Sequence, residues 1–260
     1  AFMKQNTVDQ GDFWVRDEIL LPIPRKAEQV KQFIGEYYAM ITHLDAQVGR
    51  ILAALENSQY ADNTIIVFTS DHGLAVGKHG LLGKQNQYDH SVRAPFVIAG
   101  QGIDKGKKVK GNFYLNSIFP TTAELAGIDI PASVQAKSIV PLLYSTANNT
   151  IDSNKPDVMH EYIYGAYRHY QRMVRSDNFK LIYYPMIRQT QLFDLKNDPD
   201  ELNNLAADVN YYQQLVLLQN KLLELMKELD DPLDFNAPEQ SFKKAGFAII
   251  PWRKNDKRLN

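Results

Sequence analysis

The sequence predicts an α/β fold carrying a smaller antiparallel α+β subdomain, and three observations predict it. A long amphipathic stripe is followed by a short apolar run and then a glycine-rich loop, the order of helix, covered strand and ligand-binding turn in α/β proteins. Beyond residue 170, short strand-like segments alternate with turn residues, as neighbouring strands of an antiparallel sheet do. Between these parts lies a polar stretch with proline, YSTANNTIDSNKPD at 144–157, which reads as a linker or exposed crossing. The expected domains are therefore 1–147 and 148–260.

The elements follow in chain order. Tyr37, Ile41, Leu44, Val48, Ile51 and Leu55 recur at steps of three and four, which predicts a helix over 28–56. After the polar break NSQYADN, the run TIIVFTS is continuous and β-branched, as expected of a strand covered on both faces. A second such run, APFVIAG at 94–100, follows the loop, and SIFPTTAELAGI at 117–128 has proline near a helix start and glycine after its end. RMVRSDNFKLIYY at 172–184 predicts two strands around an Asp-Asn turn, and QLFDL at 191–195 a third. Leu215, Leu218, Leu222, Leu225 and Leu229 space a helix over 211–229 that packs on that sheet.

Composition narrows the function. Of 260 residues, 44% are apolar and 23% charged, ordinary for a folded globular chain. Lys plus Arg (29) nearly balances Asp plus Glu (30), so no net charge points to nucleic acid or an anionic membrane. No apolar run approaches the roughly 20 residues of a membrane span, and the first residues lack the layout of a signal peptide. Cysteine is absent, which removes disulfides, thiolate metal sites and a cysteine nucleophile from this chain.

The chemistry concentrates in SDHGLAVGKHGLLGKQNQYDHSVRAP at 70–95. Asp71 and His72 leave a strand at its C-terminal end, where α/β sheets place ligands. Oxygen and nitrogen donors side by side suit a divalent cation of intermediate hardness. Gly73, Gly77, Gly80 and Gly83 allow close backbone approach to an anion, to which Lys84 adds a positive charge. Together they describe a tetrahedral-oxyanion site, while a strand-end Asp capping a turn and glycines in an ordinary loop remain the plainer alternative.

The ordered motifs TSDHG, GKHG, GK, YD and VRAPFVI resemble the central block of the type I sulfatases of the alkaline phosphatase superfamily. YYAMITHLDAQVGRIL at 37–52 is similar to the helix before that block, and IFPTTAELAGIDIP and QAKSIVPLL to the segment after it. RMVRSDNFKLIYY and QLFDLKNDPDELNNLA are similar to the sulfatase C-terminal subdomain. The resemblance implies an alkaline-phosphatase-like sandwich of helices around a largely parallel sheet, with a small antiparallel α+β subdomain after it. It implies that Asp71 and His72 ligate a divalent cation, calcium before zinc or manganese, that Lys84 contacts the sulfate, and that His79 lines the substrate side. It also implies an exported protein, periplasmic, extracellular or lysosomal, acting on a sulfated small molecule or glycan.

The family's nucleophile is a formylglycine made from Cys or Ser in C/S-x-P-x-R, and this chain has neither cysteine nor Ser-x-Pro-x-Arg. The expectation is a C-terminal part that pairs with a missing N-terminal half and is inactive alone. Ser117 and Ala136 depart from the usual aspartate and glycine. Other residues have plainer readings: Arg93 bracing the loop through Asp89, Tyr88 as packing with a satisfied hydroxyl, His90 as a solvated surface histidine, and His43 and Asp45 away from the metal. His160 precedes and His169 lies near the end of the aromatic run EYIYGAYRHY, which either packs or lines a substrate rim. The competing functions are a metal-dependent phosphoester or phosphonate monoester hydrolase of the same superfamily and a non-catalytic sulfated-glycan-binding relative.

Overall fold

The computed structural model describes residues 20–21, 25–144 and 159–235, so the boundary expected at 147/148 lies outside the described residues. Among the described residues the chain groups into two compact units. One holds residues 34–71, 94–144 and 159–163; the other holds 20–21, 25–33, 72–93 and 164–235. The glycine-rich loop therefore groups with the C-terminal sheet and not with the strands that flank it in sequence.

Helix α1 (Ala27–Glu56) matches the predicted stripe and runs 30 residues without an internal proline. Its apolar residues Tyr38, Met40, Ile41, Leu44, Ile51 and Leu52 are exposed, and its one buried residue is Val30. After a single 3₁₀ turn at Ala61–Asn63, strand β1 (Ile66–Thr69) pairs antiparallel with β2 (Phe96–Ala99), from Ile66 opposite Ala99 to Thr69 opposite Phe96. Both runs form strands, as their β-branched composition dictates.

Two expectations differ here. Among the described residues this sheet has two strands, paired antiparallel, and the parallel neighbours implied by the resemblance are not among them. For the same reason neither strand is covered on both faces: Val67 and Phe68 of β1 and Val97 of β2 are exposed. A two-stranded ladder leaves both flanks of its apolar side chains to other elements.

Between Asp89 and Val92 the chain makes one helical turn, α2. The core of the first unit lies under β2, where Ile139, Leu142 and Leu143 meet Phe96, Ile98, Phe113, Leu125, Tyr144 and Met159. Helices α3 (Ile118–Leu125) and α4 (Val140–Leu143) supply it. The Thr121 hydroxyl donates to the Ser117 carbonyl at 2.5 Å and accepts from the Ile139 amide at 3.0 Å, tying α3 to the segment entering α4.

In the second unit, β3 (Ile163–Tyr167), β4 (Gln171–Arg175), β5 (Phe179–Tyr184) and β6 (Gln189–Asp194) form a four-stranded sheet in sequence order. Arg172 faces Tyr183 and Phe179 faces Asp194, with the predicted Asp-Asn turn closed by Ser176 and Phe179. Strand β3 was not predicted as a strand; its aromatic run YIYGAY carries one β-branched residue. Helix α5 (Tyr212–Glu228) packs on β4 and β5 through buried Leu218, Leu222 and Met226. Arg172 seals its end, donating to Asp231 from Nε and Nη2 at 2.6 and 3.0 Å while the Tyr164 hydroxyl also meets that carboxylate.

Candidate oxyanion site and its scaffold

The loop after His72 is a closed structure. Ala75, Val76 and Gly77 donate their amides to the carbonyls of Gly83, Leu82 and Leu81, making a short hairpin-like ladder. Its tip needs left-handed backbone at Val76, Gly77, His79 and Gly80, which explains why glycine recurs there. Gly73 has a different reason. A Cβ on it would lie 2.0 Å from the His90 carbonyl oxygen, because its amide donates to Ser91 at 2.8 Å. Glycine at this position lets the backbone beside His72 pass against residues 90–91.

His72 and Lys84 are brought together across the hairpin. The His72 Nδ1 lies 2.8 Å from the Gly73 carbonyl, and its Nε2 meets the Lys84 ammonium. A carbonyl only accepts, so Nδ1 carries the proton and the Nε2 lone pair points toward Lys84. With Nδ1–H anchored on a backbone oxygen, the Nε2 lone pair is the acceptor that the Lys84 ammonium finds. Asp71 is exposed and belongs to the other unit, two residues beyond β1. Among the described residues no group of three or more His, Cys, Asp or Glu side chains could share a metal.

His79 is placed differently, 5% exposed and stacked face to face on Tyr88 with ring centroids 4.0 Å apart. Burial lowers its basicity, which the nearby Asp200 only partly restores. Tyr88 is packing with a satisfied hydroxyl, as expected: it is buried and donates to Gln191 Oε1 at 2.9 Å. His90 is not a solvated surface residue. Its ring lies 5.6 Å from both His79 and Tyr88, and its Nε2 is buried. Burial, then the charges of His79, Lys78 and Lys180, push its imidazole down to about 3. The sequence carried no sign of this, since a histidine after Tyr-Asp has no periodicity to place it.

Asp89 does hold cations, but not Arg93, whose side chain is exposed. Lys180 on β5 meets the Asp89 carboxylate, and Arg175 on β4 approaches it at 3.3 and 3.4 Å. Lys180 also sits 2.6 Å from Glu201 Oε1. Burial raises both acids; at Asp89 the Lys180 and Arg175 charges outweigh it and hold the carboxyl below its usual range, whereas Glu201, deeper and without an arginine, stays above its own. The other Glu201 oxygen accepts the Asp89 amide at 2.7 Å. Sequence reading missed Lys180 and Glu201, because a lysine in FKLIYY and a glutamate in a turn look like solvated charges.

His43 and Asp45 are exposed on α1. His160 bridges Asn112 through its backbone and meets Tyr114 edge-on at 4.8 Å. His169 is buried beside Tyr170 at 3.9 Å, and burial lowers its basicity.

A sequence profile described as N-sulphoglucosamine sulphohydrolase, C-terminal, matches residues 77–228, and one described as sulfatase matches residues 4–128. The chain belongs to the sulfatase family. This sulfatase chain is 32% identical over 216 residues to an N-acetylglucosamine-6-O-sulfatase of Bacteroides thetaiotaomicron, covering 81% of the chain and 38% of that relative. To arylsulfatase K of Xenopus laevis it is 29% identical over 235 residues, covering 87% of the chain and 42% of that relative. It thus spans about two fifths of these relatives' length. Among solved structures, one in complex with its substrate D-glucosamine-2-N,6-O-disulfate is 28% identical with a TM-score of 0.70, covering 80% of this chain and 43% of that one. A phosphonate monoester hydrolase of Agrobacterium radiobacter is 29% identical with a TM-score of 0.62, covering 74% and 40%. The alkaline-phosphatase-like α/β fold with its C-terminal antiparallel subdomain is therefore the architecture of this sulfatase.

Proposed function

We propose that the complete protein is a sulfuric ester hydrolase acting on a sulfated carbohydrate or aryl alcohol. The observation that carries this reading, beside family membership, is the meeting of His72 Nε2 with the Lys84 ammonium, which gathers an imidazole and a positive charge at one place beside the glycine-rich hairpin. Lys84 binds the sulfate head and offsets the charge that builds on its oxygens as the S–O bond to the leaving alcohol breaks. In this reading Asp71 and His72 would hold part of a divalent cation's shell, that of calcium, which would supply polarisation of the same oxygens. Calcium takes about six to eight oxygen ligands, so the remaining ligands and the formylglycine nucleophile are assigned to a part of the protein outside this sequence. The exposed apolar side chains of α1 and of β1 and β2 support such an N-terminal half as their cover. A sulfated amino sugar is the favoured glycan, given what the Bacteroides relative and the disulfate-bound structure are said to act on or bind. His79, buried in its aromatic stack, shapes the loop that lines the substrate side. Export to the periplasm, cell exterior or lysosome belongs to the same reading; among the described residues no helix is long and apolar enough to cross a membrane.

The test uses the full-length protein with an aryl sulfate, a 6-O-sulfated glucosamine and a phosphonate monoester. Turnover of a sulfate ester is expected, with Lys84→Ala lowering kcat about 100- to 1,000-fold. Preference for the phosphonate ester would instead support the second reading, which the resemblance to the Agrobacterium hydrolase favours. Binding of a sulfated sugar without turnover of any ester would leave the non-catalytic relative.

A further inference from the structure

Resting on the reading of Lys84 as a sulfate-contacting residue, we infer that Gln171 is a positioning residue, through which the C-terminal sheet sets the place of the Lys84 ammonium. Lys84 is long and flexible, so where its charge sits depends on how firmly its backbone is held. The backbone around it is held on both sides. The Gly83 carbonyl accepts from the Ala75 amide at 3.0 Å and from the Asn86 side chain at 3.5 Å. The Lys84 carbonyl accepts from the Asn86 amide at 2.8 Å. The Gln85 carbonyl accepts from Gln171 Nε2 at 3.1 Å, and the Gln87 carbonyl from Lys180 Nζ at 3.1 Å.

The last two donors come from β4 and β5, not from the loop. Both side chains are 0% exposed, so neither can trade its loop partner for water. The sheet is also shaped to receive the segment: a Cβ on Gly165 of β3 would lie 2.4 Å from Gln87 Oε1. Of these holds, Gln171 acts on the residue directly after Lys84. It is also the one that carries no ion pair, so its loss tests position without removing a charge. Nothing in the sequence pattern marks it, because a glutamine opening a strand reads as a solvated edge.

The experiment uses the full-length enzyme and a sulfate ester, with Gln171→Met, Lys84→Ala and the double variant. Gln171→Met keeps length and bulk while removing the donor; Gln171→Leu takes its place if the first fails to fold. Expected is a kcat lowered about tenfold with a thermal midpoint within a few degrees of the parent, and inorganic sulfate inhibiting about tenfold more weakly. In the Lys84→Ala background the same substitution is expected to change kcat and sulfate inhibition less than twofold, since residues acting as a unit are not additive. A purely structural role gives the same factor in both backgrounds, and that result, or an unchanged kcat in the single variant, overturns the inference. If the parent enzyme turns over no sulfate ester, or Lys84→Ala leaves turnover and sulfate inhibition intact, it is the underlying reading of Lys84 that fails.

Discussion

The β1–β2 ladder and the β4–β6 sheet invert the usual rule of what lies inside. In β4–β6 a lysine is 0% exposed, with two carboxylates and an arginine around it, while in β2 the apolar Val97 is 58% exposed. The β1 and β2 strands, IVFT and FVIA, carry no charge, whereas QRMVR, FKLIYY and QTQLFD of β4–β6 hold two arginines, a lysine and an aspartate, so hydropathy alone would bury the first pair. The two regions differ in company: β5 has a strand on each side and a helix behind it, and β1 has one partner among the described residues. Burial is thus a property of what an element is packed against, and only loosely of its own hydropathy.

The largest expected effect breaks the charged interior. Lys180→Met in the full-length protein leaves the Asp89 and Glu201 carboxylates buried with less compensation, and the expected cost is about 3–5 kcal/mol in urea unfolding at pH 7. A loss under 1 kcal/mol would show that the network is solvated in solution.

Next in size is a dependence on pH. The imidazole of His90 lies near 3 in the folded chain against an ordinary 6.5. Between those values the unfolded chain binds a proton that the folded chain refuses, so stability falls as pH drops from about 6.5 toward 3. The expected loss by pH 4 is on the order of 3 kcal/mol, with His79 shifted in the same direction. Unfolding midpoints measured from pH 7 to 4 should show this slope, and His90→Phe should flatten it; an unchanged slope assigns the acid sensitivity to other groups.

The smallest effect sharpens the other side. If the apolar side chains of β1 and β2 are covered in the complete protein, Val97→Thr costs about 1 kcal/mol there. No change in midpoint would mean that this face meets water.

Much of the architecture was legible in the residues. The stripe from Tyr37 to Leu55, the β-branched runs at 64–70 and 94–100 and the Asp-Asn turn before Phe179 all report local geometry, and α1, β1, β2, β4, β5, β6 and α5 form where that geometry asks. The exception, β3, is a strand because β4 lies beside it, not because Tyr-Ile-Tyr-Gly-Ala-Tyr demands one. Of the candidate site, the ordered motifs identified His72 and Lys84, and the structure brings them together. They could not reveal that Asp89 answers to Lys180 in place of Arg93, since the two partners stand 91 residues apart.

The order of apolar, β-branched and turn residues alone determined where the long helices and every strand but β3 form, because those preferences act within a few positions of the chain. Which side chains are buried, that His79 and His90 sit in an aromatic stack, and that a C-terminal sheet grips the segment after Lys84 were decided only when distant segments met, because desolvation and ion pairing depend on every group within a few ångströms, wherever it lies in sequence.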